Sequence, residues 1–251
     1  MNAVRGAWRL LRALLHALAG LATILWAFPR LDMAGRQARV QAWARGTLRV
    51  LGIRLQVRGE PPLHGPLLLV ANHVSWLDIL VILAACHCRF VSKSEVRHWP
   101  LVGTLATGAG TLYIERRSRR DALRVVHEMA ARLRAGDVLA IFPEGTTSDG
   151  IDLLPFHGNL IQAAVSAEVP AQPVALDFID AASGGRSLSP CYIGDDTLVG
   201  SLWRTVTGPA FTAVVSFGEA QSVHGRDRRN WAADLRQAVH ELRAGAEAGV
   251  R

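Results

Sequence analysis

The chain has 251 residues, half of them apolar, and Lys+Arg outnumber Asp+Glu 28 to 21. That length suits one α/β domain, or one domain with an appendage, and leaves enough apolar material for a sizeable core. Three cysteines, Cys86, Cys88 and Cys191, do not make a disulfide framework, which points to a reduced, cytoplasm-facing globular part.

The positive charge sits at the front. Residues 1–60 hold ten arginines against Asp32 and Glu60, and the remainder is close to neutral. A basic end on a neutral domain meets an anionic surface, either nucleic acid or membrane. The neighbouring residues favour membrane. Residues 13–28 carry no formal charge and end at Pro29, with Arg5, Arg9 and Arg12 before them and Arg30 after. A full span needs about 20 apolar residues, so this stretch spans, re-enters or lies in the interface. A signal peptide has a similar layout, but no small-x-small cleavage site follows Phe28; a buried core helix is the other alternative. Residues 33–51 intersperse Arg36, Arg39, Arg45 and Arg49 with Val40, Trp43, Leu48 and Val50. They read as a basic amphipathic helix suited to anionic lipid, or as an ordinary helix docked on the domain. The division expected is a membrane-anchoring segment, 1–58, and an α/β domain, 59–251.

A turn-rich break at 60–66 precedes an apolar strand at 67–71. A helix follows at 76–85 and a short strand at 88–92. Cys86-His87-Cys88 looks like a metal fragment, but alternate strand residues point apart and no second ligand pair stands at zinc spacing, so no metal site is expected. A helix at 102–107, a strand at 110–115, a helix at 121–135 stopped by Gly136 and a strand at 138–142 come next. Then come a helix at 160–167, a strand at 171–177, a helix or loop at 199–205, a strand at 213–218 and a terminal helix at 231–244. Strands alternating with helices predict an α/β fold, a mostly parallel sheet flanked by helices. Ligands in such folds sit beyond the carboxyl ends of the strands, where the polar clusters of this chain fall.

The first cluster is A-N-H-V-S-W-L-D, residues 71–78. Ser75 is a good helix N-cap and Asp78 stands three residues on, as in a capping box. His73 can fold back over that turn, where Asp78 would fix its tautomer and leave the other ring nitrogen as a base. The same pattern also serves a plain helix cap. The second cluster, F-P-E-G-T-T-S-D-G at 142–150, supplies glycines and hydroxyls suited to cradling an anion, or an ordinary turn. It is not a Walker A loop, because no Gly-Lys-Ser/Thr closes it. The third, I-E-R-R-S-R-R at 114–120, offers arginines for a phosphate, or a solvated turn.

N-H-V-S-W-L-D resembles the N-H-x-S-x-x-D block of the glycerolipid acyltransferase family, the membrane-associated 1-acylglycerol-3-phosphate acyltransferases. G-T-L-Y-I-E-R, F-P-E-G-T and V-P-A-Q-P-V-A-L resemble its next three blocks, in the family's order, within residues 66–177. The resemblance implies His73 as general base and Asp78 as its orienting partner. It implies Arg116 on the acceptor's phosphate, Glu144, Gly145 and Thr146 in an acceptor-binding loop, and Pro173 as structural. Asn72, which opens the first block, and Thr147, directly after the third, join them as substrate-binding candidates. Lys93, the one lysine, stands where the family often has a lysine near the site entrance.

The implied reaction moves a fatty acyl group from a thioester donor, acyl-CoA or acyl carrier protein as co-substrate, to a lysolipid hydroxyl. No cofactor, metal or nucleic acid is involved. The expected partners are membrane lipids and the acyl donor, and the expected location is membrane-associated, at the cytoplasmic face of the inner membrane. Many lysophosphatidate enzymes follow F-P-E-G-T with arginine; this chain has Thr147, then Ser148-Asp149-Gly150, as lyso-ornithine lipid acyltransferases resemble it in having. Lysophosphatidate stands first as acceptor, lyso-ornithine lipid second. A thioesterase or lipid hydrolase, and a non-catalytic lipid-binding protein, are the rival classes.

Overall fold

A computed structural model describes residues 2–114 and 119–248. Its centre is a seven-stranded sheet, ordered β1-β7-β6-β2-β5-β3-β4. The strands are β1 (Arg54–Arg58), β2 (Leu67–Ala71), β3 (Arg89–Lys93), β4 (Leu112–Ile114), β5 (Val138–Ile141), β6 (Ala171–Asp180) and β7 (Phe211–Phe217). Every neighbouring pair is parallel except β6 and β7. This is the α/β, mostly parallel architecture that the alternation of elements predicts.

The helices are α1 (Asn2–Ala22), α2 (Met33–Leu51), α3 (Leu77–Ala85), α4 (Val102–Gly108), α5 (Arg119–Arg134), α6 (Gln162–Ala167), α7 (Leu198–Thr207) and α8 (Arg228–Ala248). Side chains alternate across the sheet. Leu67, Leu69 and Ala71 of β2 join a core with α2 and α3 on one face; Leu68 and Val70 join a core with α5, α6 and α8 on the other. A strand buried on both faces reads as an unbroken apolar run, which is what L-L-L-V-A is. Each such leucine or valine contributes about 1.5–3 kcal/mol on burial.

The expected boundary at 58/59 meets a different arrangement. Arg54–Arg58 pairs with β7 along its whole length as the edge of the sheet. Ala44, Leu48, Leu51 and Ile53 belong to the same core as β2 and α3. R-L-Q-V-R hides its strand character because an edge strand buries little, and none of its five residues is buried. The front segment from α2 onward is therefore packed into the domain, and Asp32 caps α2 by accepting from the Gly35 N–H at 2.8 Å.

α1 lies along the outside of this layer. Trp43 Nε1 donates to the His16 carbonyl at 3.1 Å, His16 Nε2 lies 3.0 Å from the Trp43 carbonyl, and Arg9 Nη1 donates to the Val206 carbonyl at 3.2 Å. Leu10 and Ala13 pack on the core, whereas Val4, Trp8, Leu11, Leu15, Leu18, Leu25 and Trp26 face outward and are exposed. With the π-helical and 3₁₀ turns that extend it to Arg30, this stretch is long and apolar enough to cross a membrane by length and composition.

Candidate active site

β2, β5 and β6 run parallel, so their carboxyl ends open at one edge of the sheet. The residues after β2 turn into α3. Leu77 donates its N–H to Ser75 Oγ at 3.3 Å, and Asp78 Oδ2 reaches back to the Ser75 N–H at 2.8 Å. The contacts are reciprocal, as the spacing predicts, but Ser75 stands one residue before Trp76, the N-cap of α3, and its hydroxyl accepts from Leu77 while the Asp78 N–H donates to the Ser75 carbonyl. This turn places Asp78 in the first turn of α3, where the helix dipole favours a carboxylate.

Asp78 is fully buried. The same Oδ2 accepts from the Val74 N–H at 2.7 Å and stands 2.8 Å from His73 Nδ1. An acceptor-only carboxylate at that distance assigns the Nδ1 proton, leaving Nε2 with its lone pair. The His73 side chain is 19% exposed, and its ring stacks on Phe142, with centroids 3.9 Å apart and planes 5° from parallel. Phe142 in turn stacks on Phe90 at 5.5 Å. One wall of the imidazole is thus apolar, one nitrogen is tied, and the other makes no hydrogen bond among the described residues.

The loop after β5 clamps the His73 main chain from both sides. Glu144 Oε1 accepts the His73 N–H at 3.0 Å, and the Ser148 N–H donates to the His73 carbonyl at 2.9 Å. Glu144 is buried, and burial pushes its carboxyl up to about 7 against the lowering effect of the His73 and Leu154 N–H groups and with the Asp78 charge adding to the rise. Gly145, at φ +76°, makes the turn that brings Glu144 under His73.

The remaining candidates fall in three places. Thr146 is exposed at the loop tip, and Thr147 donates its hydroxyl to the Tyr192 carbonyl. Asn72 is buried and pairs both ends of its amide with the Leu176 main chain, at 2.8 and 2.9 Å. Its amide faces β6 and ties the ends of β2 and β6 together. Lys93 is exposed at the carboxyl end of β3, on the same edge of the sheet as His73. Pro173 sits inside β6, opposite Val70 of β2. Arg116 lies outside the described residues.

Sequence reasoning missed Phe142 as a ring partner of His73, and it missed Ser148 as the second clamp. It also missed the segment after β6, whose Tyr192 N–H donates to the Val74 carbonyl at 3.1 Å. Both Phe142 and Ser148 stand in the motif already singled out; the apolar residue closing β5 was the available signal. Nothing local marks Tyr192.

A buried carboxylate holding a partly exposed imidazole, at the strand ends of an α/β sheet, is an arrangement suited to taking a proton from a hydroxyl, in group transfer or hydrolysis. Known proteins narrow that class. The sequence signature of the Acyltransferase family matches residues 54–177. The chain is 38% identical to the lyso-ornithine lipid O-acyltransferase of Pseudomonas aeruginosa, over 88% of this chain and 86% of that one. It is also 38% identical to the 1-acyl-sn-glycerol-3-phosphate acyltransferase of Neisseria gonorrhoeae, over 72% of this chain and 71% of that one. The fold matches the crystal structure of the 1-acyl-sn-glycerophosphate acyltransferase PlsC from Thermotoga maritima with a TM-score of 0.71 and 19% identity, over 98% of this chain and 96% of that one. The chain belongs to the acyltransferase family and is an O-acyltransferase, as the four blocks lead one to expect.

Proposed function

We propose that the protein acylates the hydroxyl of a lysophospholipid, 1-acylglycerol-3-phosphate, at a membrane surface, taking the acyl group from a thioester, acyl-CoA or acyl carrier protein. The observation that carries this reading is the His73 Nδ1–Asp78 Oδ2 contact of 2.8 Å, which leaves Nε2 as the base.

In this mechanism Nε2 takes the proton of the acceptor hydroxyl as its oxygen attacks the thioester carbonyl. The Asp78 carboxylate stabilises the imidazolium that results, and the thiolate leaves with the proton that His73 returns. No acyl-enzyme forms, so no nucleophilic cysteine is needed; burial pushes the Cys191 thiol, beside Asp149, up to about 11, far from a reactive thiolate. A positioned base supplies about 10²–10⁴-fold, and alignment of the two substrates supplies much of the rest. Glu144 and Ser148 hold the base, Thr146 and Lys93 lie at the entrance, and Arg116 is assigned to the acceptor's anionic group on the motif alone.

The membrane reading rests on α1. One face is docked on the domain through His16, Trp43 and Arg9, and the opposite face presents leucines and tryptophans. A helix fastened along its side and apolar on its outer face suits the interface plane better than a crossing. Residues 1–30 then anchor the enzyme, with Arg5, Arg12 and Arg30 available to anionic headgroups of the cytoplasmic leaflet.

A second acceptor has a specific observation in its favour. Position 147 carries no cation, and its hydroxyl is spent on the Tyr192 carbonyl. Lyso-ornithine lipid, whose headgroup is an amino acid, needs no arginine there for a phosphate. A panel with labelled acyl-CoA and acyl carrier protein decides between the two. Turnover at least ten times higher on 1-acylglycerol-3-phosphate supports the first reading; the reverse ratio assigns lyso-ornithine lipid. Equal release of free fatty acid with and without any lysolipid would instead make the protein a thioesterase.

A further inference from the structure

The loop that holds His73 is itself held from behind. Gly150 closes that loop in the left-handed region, at φ +70°, and a Cβ there would stand 3.0 Å from Val74 Cγ2. Its carbonyl receives two guanidinium groups, Nη2 of Arg243 and Nη1 of Arg186. Asp177 lies between them, with Oδ1 3.1 Å from Arg243 Nε and 3.6 Å from Arg186 Nη2. Asp177 comes from β6, Arg186 from the segment after it, and Arg243 from α8. Arg243 is 5% exposed and Asp177 4%. Arg243 also lies outside residues 54–177, the span of the family signature.

Stability is a poor account of this cluster. Taking charges out of water costs several kcal/mol per ion, and well-packed apolar side chains often do as well or better. What a buried guanidinium offers instead is a rigid fork. Arg243 sets one prong on a carboxylate in the sheet and another on the Gly150 carbonyl. From Gly150 the path to the base is short. Its N–H donates to Ser148 Oγ at 3.1 Å, and the Ser148 N–H donates to the His73 carbonyl at 2.9 Å.

We infer that Asp177, Arg186 and Arg243 form a positioning network that fixes Gly150 against the sheet, and so fixes the main chain of His73 and the angle at which Nε2 meets the acceptor hydroxyl. None of the three touches substrate. The inference rests on the reading of His73 as the base. A misplacement of the base by about 1 Å costs on the order of 10²-fold in rate.

Arg243→Met tests it, because the substitution keeps the apolar stem and removes the charge and the fork. Three measurements on the full chain in lipid or detergent suffice: kcat, KM for both substrates, and amide hydrogen exchange. The expected result is a kcat lower by roughly 10- to 100-fold, with both KM values within about twofold. Exchange should quicken at the His73 and Ser148 amides while β2 and β6 stay protected. Unchanged kcat overturns the inference. So does a lower kcat accompanied by faster exchange throughout the sheet, which marks general loosening. If Arg243→Met does not fold, Arg243→Lys keeps a cation beside Asp177 but cannot fork; lowered kcat with the same local exchange supports the network, and wild-type kcat overturns it. Full turnover in His73→Ala would sink the base reading itself, whereas a dead His73→Ala with a wild-type Arg243→Met sinks only this network.

Discussion

Oδ2 of Asp78 accepts three hydrogen bonds, from the His73 ring and from the Val74 and Ser75 main chain. All three bonds can survive in Asp78→Asn, because a carbonyl oxygen accepts from N–H groups as a carboxylate oxygen does. The charge that stabilises the imidazolium would not. Asp78→Asn is therefore expected to fold and bind membrane normally while kcat falls by roughly 10²-fold or more, with KM nearly constant. Steady-state kinetics on vesicle-bound enzyme check this. Glu144 gives a pH prediction of definite sign. Its folded pKa of about 7 lies above the ordinary 4.5. The folded state thus holds the proton more tightly than the unfolded state does. The carboxyl adds stability below the ordinary carboxylate range, and that contribution is lost as pH rises through about 7. Glu144→Gln should remove this fall. Thermal unfolding midpoints from about pH 4 to 8 measure it, and an unaltered pH dependence would contradict the burial of an ionisable group there.

Among the elements, α1 carries the clearest consequence. Leu11 and Leu15 stand on its outer face, away from the His16–Trp43 contact that docks it. Leu11→Asp with Leu15→Asp puts two charges into the apolar face without touching the docking face. Binding to anionic vesicles should weaken by at least tenfold, while turnover of a short-chain, water-soluble acceptor stays close to wild type. Undiminished sedimentation with vesicles would assign membrane contact to another surface. The elements also mark the limit of what is legible in the chain. Strands such as β2 and β5 are apolar throughout because both faces are buried, and the sequence shows that directly. β1 is not legible in this way. None of its five residues is buried, and the partner that makes it a strand, β7, lies more than 150 positions on.

At the scale of the whole molecule, the same division between local and distant contacts explains the site. His73, Ser75 and Asp78 meet within a single turn, so their spacing announces their geometry. The 143–150 loop is also a local motif, but its purpose is not legible from composition. Glycines and hydroxyls suggest a cradle for an anion; in the folded chain Glu144 and Ser148 grip the main chain of His73. The side chains behind them come from β6, the segment after it, and α8. Arg243 reads in the sequence as one more charge on a terminal helix, and only the packing of α8 over β6 buries it against Asp177.

The central claim is that an acyltransferase reaction runs through one imidazole held by one buried carboxylate. Acyl transfer by folded, membrane-bound His73→Ala tests it most directly, with acyl-CoA and acyl carrier protein as donors and a lysolipid as acceptor. The account predicts a loss of roughly 10²–10⁴-fold in kcat with vesicle binding intact. Transfer at the wild-type rate would contradict it.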